Sequence, residues 1–595
     1  MKYPTLNELA TSRDMIGVFG GYNRNLLIGD GEFYDMKNLS SADYPILAPR
    51  KKRGIYAEPQ NPQGLIAKDS LCYVDGKDFI INGYTVPNLE LSTDDGMCPK
   101  TLISMGAYVI IMPDKKYVNT ADEAYECGNI EAFVTTEGTV SFELCKLDGT
   151  AYERVEKSPT APEITEEMEK DPTLIPLWLD TSSEPNSLRQ YSTYQGEWTA
   201  IATTYIKISV DGDGKPFEPF AEGDGVTISG IVPTELSDLN ASVVIWKKDK
   251  ENRYIVVKGI LDKVTSQEEP ITVARKMPEM DFIIESQNRL WGCKYGITED
   301  GKVANEIYAS KLGDFKNWNC YPGISTDSYY VGVGTDGPFT GAINHLGYPI
   351  FFKENCMHKV YGNYPANYQV QTTTCRGVQK GCARSLAIVN EVVYYKSRSA
   401  VCAYDGSLPA EISSALGDIA YHGAVAGTLG NKYYISMADA NEDYHLFVYD
   451  TMRGMWHKED NVTAIDFCSC RGDLYFIDNA DKKIKSVNGD GEPEDKAVKW
   501  VAESGVWGTD SPDKKYISRI DVRMNLNVGT RVIFLAEYDS SGVWEHLFTM
   551  MGTSLKTFSV PVKPKRCDHL RLRIEGEGEA KIYSICRTIE QGSDI

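Results

Sequence analysis

Residues 341–362 read GAINHLGYPIFFKENCMHKVYG, and residues 385–406 read SLAIVNEVVYYKSRSAVCAYDG. Each stretch holds a short apolar strand, a tight turn and a second strand, which is typical of an antiparallel hairpin. Such units recur along the chain, at residues 64–86, 102–118, 281–319, 424–458 and 464–489. A single unit cannot bury both faces of its sheet, so several must pack around a common axis. We therefore predict an all-β protein with a β-propeller of about seven blades.

Two regions depart from this rhythm. Residues 120–280 contain an acidic, helix-like stretch (163–171) and then become rich in strands, and residues 516–590 carry alternating strands separated by turns. An exposed loop of a propeller tolerates an inserted domain, and regularly spaced alternating strands favour a sandwich of jelly-roll type. The predicted domains are an extended N-terminal arm (1–55), the first propeller blades (56–119), an inserted β-rich domain (120–280), the remaining blades (281–495) and a C-terminal β-sandwich (496–595).

The charge of the chain limits its partners. It has 62 basic and 84 acidic residues, a net charge of −22, which counts against a general nucleic-acid-binding surface. An acidic channel can still let DNA pass without holding it. The one dense basic run is Arg50, Lys51, Lys52 and Arg53, a candidate contact with DNA or an acidic partner. The alternative for this run is a solvated strand edge.

The motifs of common enzymes are missing. The sequence contains no GxSxG elbow, no GxxxxGK[ST] phosphate loop and no HExxH zinc pair. Its 14 cysteines form no CxxC pair, and most lie in strand-like runs, which favours free, buried thiols over a metal site. We predict no catalytic residues, no cofactor and no metal. A carboxylate pair at glycosidase separation is not readable from sequence.

The sequence also lacks the marks of membrane insertion. The N-terminus has no apolar leader, and no run of about 18 apolar residues occurs. We expect synthesis in a cytoplasm and no membrane span.

Three phrases carry a family resemblance: GGYNRNLLIGDGEFYDMKNLSS (20–41), NEIYASKLGDFKNWN (305–319) and SPDKKYISRIDVRMNL (511–526). In the second, Ala309, Ser310, Gly313, Asp314 and Trp318 form an Ala-Ser-x-x-Gly-Asp-x-x-x-Trp arrangement. Together the phrases resemble virion proteins of tailed bacteriophages of gut Firmicutes, of the propeller-bearing tail nozzle or tail hub type that includes the packaged-DNA stabilisation group. The arrangement itself also has a purely structural interpretation, as a strand, an Asp-containing turn and a Trp anchor.

The resemblance implies a structural part of a phage tail, located in the virion, that is not an enzyme. It further implies a homo-oligomer, by analogy a hexameric ring. Such a ring would contact other tail proteins, namely a portal-proximal adaptor and fibres. DNA would pass through its channel without sequence-specific binding.

Two other functions remain open on the sequence. The first is a receptor- or glycan-binding propeller and jelly-roll module, at a tail tip or on a cell surface. The second is a propeller glycosidase, which the absence of a repeated Ser-x-Asp-x-Gly-x-x-Trp turn disfavours.

Overall fold

The computed structural model describes residues 11–93, 99–121, 124–212, 214–509, 514–552, 554–563 and 565–591. Almost all of its regular structure is β. Within these ranges, six separate antiparallel sheets and one end of a ten-stranded sheet form the seven blades of a propeller, and three further sheets form an insertion. The rest of the ten-stranded sheet and a four-stranded sheet form a sandwich, so the predicted fold class is confirmed.

Each propeller blade has four strands, and in six of the seven they are consecutive along the chain. Blade 1 contains Pro62–Ala67, Leu71–Asp75, Asp78–Ile81 and Tyr84–Thr85, and blade 2 contains Thr101–Met105, Tyr108–Met112, Lys116–Asn119 and Cys127–Asn129. Blade 3 contains Phe282–Ser286, Arg289–Ile297, Val303–Ala309 and Tyr329–Gly332, and blade 4 contains Gly341–His345, Tyr348–Lys353, Cys356–Tyr361 and Gln369–Thr374. Blade 5 contains Ala387–Val389, Val392–Lys396, Val401–Tyr404 and Ala410–Glu411, and blade 6 contains His422–Leu429, Lys432–Ala438, Tyr444–Asp450 and Met455–Lys458.

Blade 7 closes the ring with a strand from the other end of the chain. It contains Ala464–Cys470, Asp473–Asp478 and Ile484–Ser486, and its fourth strand is Gly54–Ala57, which also pairs with Glu492–Pro493. The inner strand of blade 7 packs against the inner strand of blade 1, which completes the circle. The ring therefore cannot close until residues 54–57 join residues 484–486.

Tight turns repeat at the first hairpin of several blades. In blades 3, 4, 5 and 7 both central residues of this turn have positive φ. Consecutive positive φ angles are the mark of the two-residue hairpin turn whose twist matches that of the strands it joins. These pairs are Gln287 and Asn288, Leu346 and Gly347, Asn390 and Glu391, and Arg471 and Gly472.

The propeller axis is crossed by one arginine. Arg384 precedes blade 5, yet its guanidinium donates to the carbonyl oxygens of Pro99 (3.1 Å) and Lys100 (3.0 Å) before blade 2. It also lies 3.1 Å from the carboxylate of Asp466 on the inner strand of blade 7. Because blades 2 and 5 are not neighbours, Arg384 links opposite sides of the ring.

The predicted N-terminal arm is wrong for the residues that the structure describes. Thr11–Ile16 pairs with the C-terminal strand Ala580–Gln591, and Gly21–Tyr22 and Glu32–Lys37 lie in a sheet with Lys499–Ser504. The sequence suggested an arm because its strands are short and separated by Gly and Pro. Their partners lie hundreds of residues away, so no local pattern announces the pairing. Residues 1–10 of the arm lie outside the described residues.

The sandwich and blade 6 form one continuous structure. The outer strand of blade 6 pairs with Gly21–Tyr22, so the blade extends into a ten-stranded sheet, and a single apolar core runs from blades 4 to 6 into the sandwich. The remaining strands of that sheet are Glu32–Lys37, Lys499–Ser504, Leu570–Glu577, Arg531–Tyr538 and Glu545–Met551. The facing sheet holds Thr11–Ile16, Ala580–Gln591, Lys515–Leu526 and Lys556–Val560. A short pair, Leu39–Ser40 and Ala48–Pro49, lies beside them.

The insertion leaves blade 2 after Asn129 and returns before blade 3 at Phe282. Two of its sheets enclose a separate apolar core that includes Phe142, Ile208 and Phe217. Their strands are Ala132–Thr135, Thr272–Arg275, Gly225–Ser229 and Ser242–Val244; and Lys247–Lys248, Tyr254–Lys258, Tyr205–Val210, Val140–Cys145 and Thr265–Gln267. The third sheet holds Val155–Ser158, Leu177–Asp180, Ser187–Ser192 and Glu197–Ala200.

Helical structure is sparse in the described residues. The acidic stretch forms one short α-helix, Glu166–Lys170, capped by the Thr165 side chain. The 3-10 turns are Ser41–Asp43, Pro172–Leu174, Thr234–Leu239, Pro365–Asn367, Ala383–Ser385 and Ser414–Leu416. No described helix is long and apolar enough to cross a membrane.

Candidate ligand-binding cleft

The basic run at residues 50–53 joins the sandwich to the closing strand of blade 7. Its four side chains divide into two pairs: Arg50 and Arg53 are buried, whereas Lys51 and Lys52 are exposed. Gly54 follows, and a Cβ there would lie 2.1 Å from the carbonyl oxygen of Asp490. Only glycine therefore lets the strand pack against the turn of blade 7, and this close approach fixes the direction of the preceding side chains.

The two arginines form a buried seam between blades 6 and 7 and the sandwich. Arg53 lies 2.6 Å from Asp460 and 2.8 Å from Glu459, and Arg50 lies 2.8 Å from Asp495. Both guanidinium groups have their charge satisfied inside the protein, so the predicted DNA or partner contact is wrong for Arg50 and Arg53. Their role is to neutralise buried carboxylates, which are costly without a cation.

The seam shifts the ionisation of its carboxylates. Burial alone would raise the pKa of Asp460, but the adjacent Arg53 outweighs it and holds the pKa below its usual range. Asp495 behaves alike: burial acts to raise its pKa, and the hydrogen bond and charge of Arg50 lower it. The seam is therefore an ionised structural element at neutral pH.

The two lysines line a cleft of about 530 Å3 in the sandwich, beside the segments that connect the sandwich to blade 7. Lys52 Nζ donates to the carbonyl oxygen of Lys496 (2.9 Å), and Lys51 Nζ to the side chain of Asn488 (3.3 Å). Among the described residues, no carboxylate lies within ion-pair distance of Lys51, Lys52 or Lys496. Lys51, Lys52 and Lys496 thus line one cleft, and none of the three forms an ion pair with a carboxylate among the described residues.

The opposite wall of the cleft is polar and comes from two hairpin tips of the sandwich. It presents Asn525, Asn527 and Thr530 from one tip and Glu579 and Lys581 from the other. The two tips are tied together, since the Asn527 amide donates to Glu579 at 2.5 Å and the Thr530 hydroxyl donates to the Glu579 carbonyl oxygen at 2.9 Å.

At one end of the cleft, Lys581 pairs with Asp43 at 2.8 Å. The carboxylates of the cleft, Asp43 and Glu579, are thus engaged by side chains of the sandwich rather than by the three lysines. Amides, a hydroxyl and uncommitted cations are the groups that bind anions and sugar hydroxyls.

Sequence reasoning found only part of this cleft. Lys51 and Lys52 belong to the predicted run, but Lys496, Asn525 and Thr530 were missed. They come from segments more than 400 residues further along the chain. No local signal marks them, because isolated Asn, Thr and Lys residues are ordinary in turns.

The Ala-Ser phrase of blade 3 has a structural role. The Ser310 hydroxyl accepts from the Leu290 amide, Asp314 accepts from the Lys316 amide and the Asn317 side chain, and the Trp318 indole donates to the Phe315 carbonyl oxygen. The phrase is thus a turn anchored by a buried Trp, as its structural interpretation predicted. Trp456 has a similar role in blade 6, where it is 1% exposed and donates to the Ile412 carbonyl oxygen.

Thiols and metal ligands form no evident centre in the described part of the chain. Its 13 cysteines are free. Burial raises the pKa of several of these thiols, to about 11 for Cys72 and Cys145. No group of three or more His, Cys, Asp or Glu side chains within the described ranges could hold a metal ion.

By its fold the chain belongs to the class of all-β propeller proteins. No family model and no curated protein matches it. Solved structures that match include an exo-β-1,3-galactanase of Phanerochaete chrysosporium bound to galactose (7% identity, 51% of this chain and 94% of that chain, TM-score 0.22). A family 43 arabinoxylan arabinofuranohydrolase of Bacillus subtilis matches over 51% of this chain and 94% of its own (6% identity, TM-score 0.19). A Trypanosoma rangeli sialidase mutant matches over 98% of this chain and 97% of its own (9% identity, TM-score 0.17).

These matches correct two expectations. They are glycan-active enzymes, and none of them is a phage tail protein, so the predicted function as a structural tail component and the prediction that the chain is not an enzyme are wrong by this comparison. The likeness is too weak to transfer an activity, so the ligand has to be inferred from the geometry of the cleft itself.

Proposed function

We propose that the protein is a glycan-binding protein whose cleft takes an acidic saccharide. The observation that carries the proposal is that one cleft is lined by Lys51, Lys52 and Lys496, none of which has a carboxylate partner among the described residues, in a chain of net charge −22. In such a protein, cations are expected to be neutralised by the many carboxylates nearby. Three that are not form a local positive field that attracts an anion.

The shape and lining of the cleft support a saccharide as the anion. Its volume of about 530 Å3 lies within the range of pockets that hold small ligands. The far wall offers the Asn525 amide, which suits sugar hydroxyls, while the lysines suit a carboxylate or a phosphate group.

Duplex DNA fits the cleft less well. It carries one charge per about 1.7 Å of helix axis and is bound by extended rows of Lys and Arg. Three lysines around a small cleft on an otherwise acidic protein do not supply such a row. DNA binding is accordingly one outcome of the test and is not proposed.

The test is an equilibrium titration of the full chain with acidic oligosaccharides, namely oligogalacturonate, sialyllactose and a phosphate-bearing wall-polymer fragment. The methyl ester or the desialylated form of each serves as the uncharged counterpart. We expect at least one acidic ligand to bind saturably, its uncharged counterpart to bind at least tenfold more weakly, and added salt to weaken the complex. The same samples, analysed for released sugars, report any hydrolysis.

The variant that tests the cleft is Lys52→Glu combined with Lys496→Glu, which should abolish binding. The matched control is Lys380→Glu, an exposed lysine of the propeller outside the cleft, which should bind like the parent protein. Equal binding by the double variant and the control would overturn the proposal, as would binding of a DNA duplex in preference to every acidic saccharide.

A further inference from the structure

The third sheet of the insertion has two chemically different faces. Its strands Leu177–Asp180, Ser187–Ser192 and Glu197–Ala200 are antiparallel neighbours. On one face Leu179 and Leu188 are 0% and 1% exposed. Because successive side chains of a strand point to opposite faces, the residues between them form the other face.

That other face is aromatic, and we name it the aromatic face: Trp178, Arg189, Tyr191 and Trp198. Tyr191 lies directly opposite Trp198, with ring centroids 5.4 Å apart, and Trp198 lies 5.6 Å from Trp178. Trp178 is buried beneath this layer, whereas Tyr191 and Trp198 keep part of their surface in solvent. At the tip of the adjoining turn, Tyr194 is 97% exposed.

Polar groups flank the rings at one end. The Arg189 guanidinium lies 5.3 Å above the centre of the Trp178 ring and pairs with Asp180 at 3.0 Å. Its position between a ring and a carboxylate keeps its planar donors fixed. The face therefore combines partly exposed ring surface with a charged donor, the Arg189 guanidinium, which the buried Asp180 holds in place.

We propose that the aromatic face binds an uncharged saccharide. A pyranose presents C–H groups on one surface and hydroxyls at its edge. The C–H surface would lie on Trp198 and Tyr191, and the edge hydroxyls would face the Arg189 guanidinium. Tyr and Trp suit such a ligand because each has an apolar body and a polar end. The proposal concerns a second site and does not rest on the cleft.

The size of the face argues for a small ligand. Four strands about 4.8 Å apart and at most six residues long give a surface of about 15 by 20 Å, or about 300 Å2. A specific protein partner buries about 800 Å2 on each side. The sheet is therefore too small to hold a protein by itself, but an oligosaccharide of a few residues would cover it.

The experiment is a titration of the full chain with uncharged oligosaccharides, followed by intrinsic tryptophan fluorescence and by calorimetry. The probes are cellohexaose, xylohexaose, β-1,3-galactotriose and N-acetylchitohexaose. We expect a saturable spectral shift with at least one of them, a loss of affinity of at least tenfold in Trp198→Ala and in Tyr191→Ala, and recovery in Trp198→Phe, which keeps a ring.

Two controls separate this site from a general loss of structure and from the cleft. Trp246→Ala removes a partly exposed ring elsewhere in the insertion, where it contacts Tyr205, and should bind like the parent protein. Lys52→Glu with Lys496→Glu should also bind the uncharged ligand normally. Absence of binding to every probe, unchanged binding in Trp198→Ala, or an equal loss in Trp246→Ala would each overturn the proposal.

Discussion

The buried seam and the cleft wall are built from the same four consecutive residues, yet they have opposite roles. Arg50 and Arg53 each face carboxylates inside the protein, whereas Lys51 and Lys52 face solvent with no carboxylate close by among the described residues. The charge of a residue in a sequence therefore says little about its function until its burial is known. A buried cation stabilises the fold through its partners, and an exposed, unpartnered cation is free to meet a ligand.

The largest expected effect comes from breaking the seam. Arg53→Ala leaves Glu459 and Asp460 with only the more distant Arg50, at 3.9 Å and 3.6 Å, as a cation. Loss of one partner of a buried pair costs about 3–5 kcal/mol. We expect a clear drop in the thermal unfolding midpoint. Lys52→Ala is the matched control, because an exposed substitution stays within about 0.5 kcal/mol. An equal drop in the unfolding midpoint of both variants would contradict the different roles assigned to the buried Arg53 and the exposed Lys52.

Acid should affect the seam next. The pKa values of Asp460 and Asp495 are lowered in the folded protein, so their contribution is present above their unfolded pKa, near 4, and is lost as the pH falls through the lower folded values. Burial lowers the pKa of His457 to about 3, so in the range from about pH 6.5 to 4 this side chain takes up a proton in the unfolded protein but not in the folded one. His457 therefore reduces the stability of the folded protein in that range, before the carboxylates of the seam lose their charge.

The contribution of the seam to stability is therefore measured as the difference in thermal midpoint between the parent protein and Arg53→Ala. Thermal midpoints of the parent and of Arg53→Ala, taken from pH 7 to pH 3, should converge below pH 4 because the carboxylates lose their charge. A gap that stays constant down to pH 3 would show that the ion pairs are not its source.

A smaller effect is expected at the cleft wall, and it concerns binding rather than stability. Lys52→Ala removes one charged donor, which is worth about 1.5–3 kcal/mol when it binds an anion, or roughly tenfold or more in affinity for an acidic saccharide. Calorimetry on the parent and the variant checks it. Unchanged affinity would place the ligand elsewhere.

The smallest effect should come from exchanging the cations themselves. Lys51→Arg keeps the charge at an exposed position and should change neither stability nor affinity by more than about 0.5 kcal/mol. Arg50→Lys should cost more, because lysine cannot reproduce the forked contacts of Arg50 with Asn38 and Asp495. The thermal midpoints of the two variants compare their stabilities directly. A lower midpoint for Lys51→Arg than for Arg50→Lys would contradict the assignment of Arg50 as buried and Lys51 as exposed.

Much of the fold was predictable. The alternation of strands at 341–362 and 385–406 predicts hairpins that need neighbours, and a ring of blades is the arrangement that supplies them. The break at 120–280 is visible because its composition changes. The short N-terminal strands were mistaken for an arm, since a strand of two to six residues shows no periodicity of its own.

The candidate sites were much less predictable. The basic run was visible, but the seam had to be recognised from Glu459, Asp460 and Asp495, over 400 residues away. The virion location, the hexameric ring and the tail-protein partners that the family resemblance implied stay predictions, and no feature of the described residues tests them.

The all-β class and the repeated hairpins follow from the amino-acid sequence alone, because alternation and turn residues act over a few neighbouring positions. The burial of Arg50 and Arg53, the place where the propeller closes and the hairpin tips that face Lys51 and Lys52 are set by the three-dimensional packing. Those properties depend on contacts between residues far apart in the chain, and local preference cannot encode them.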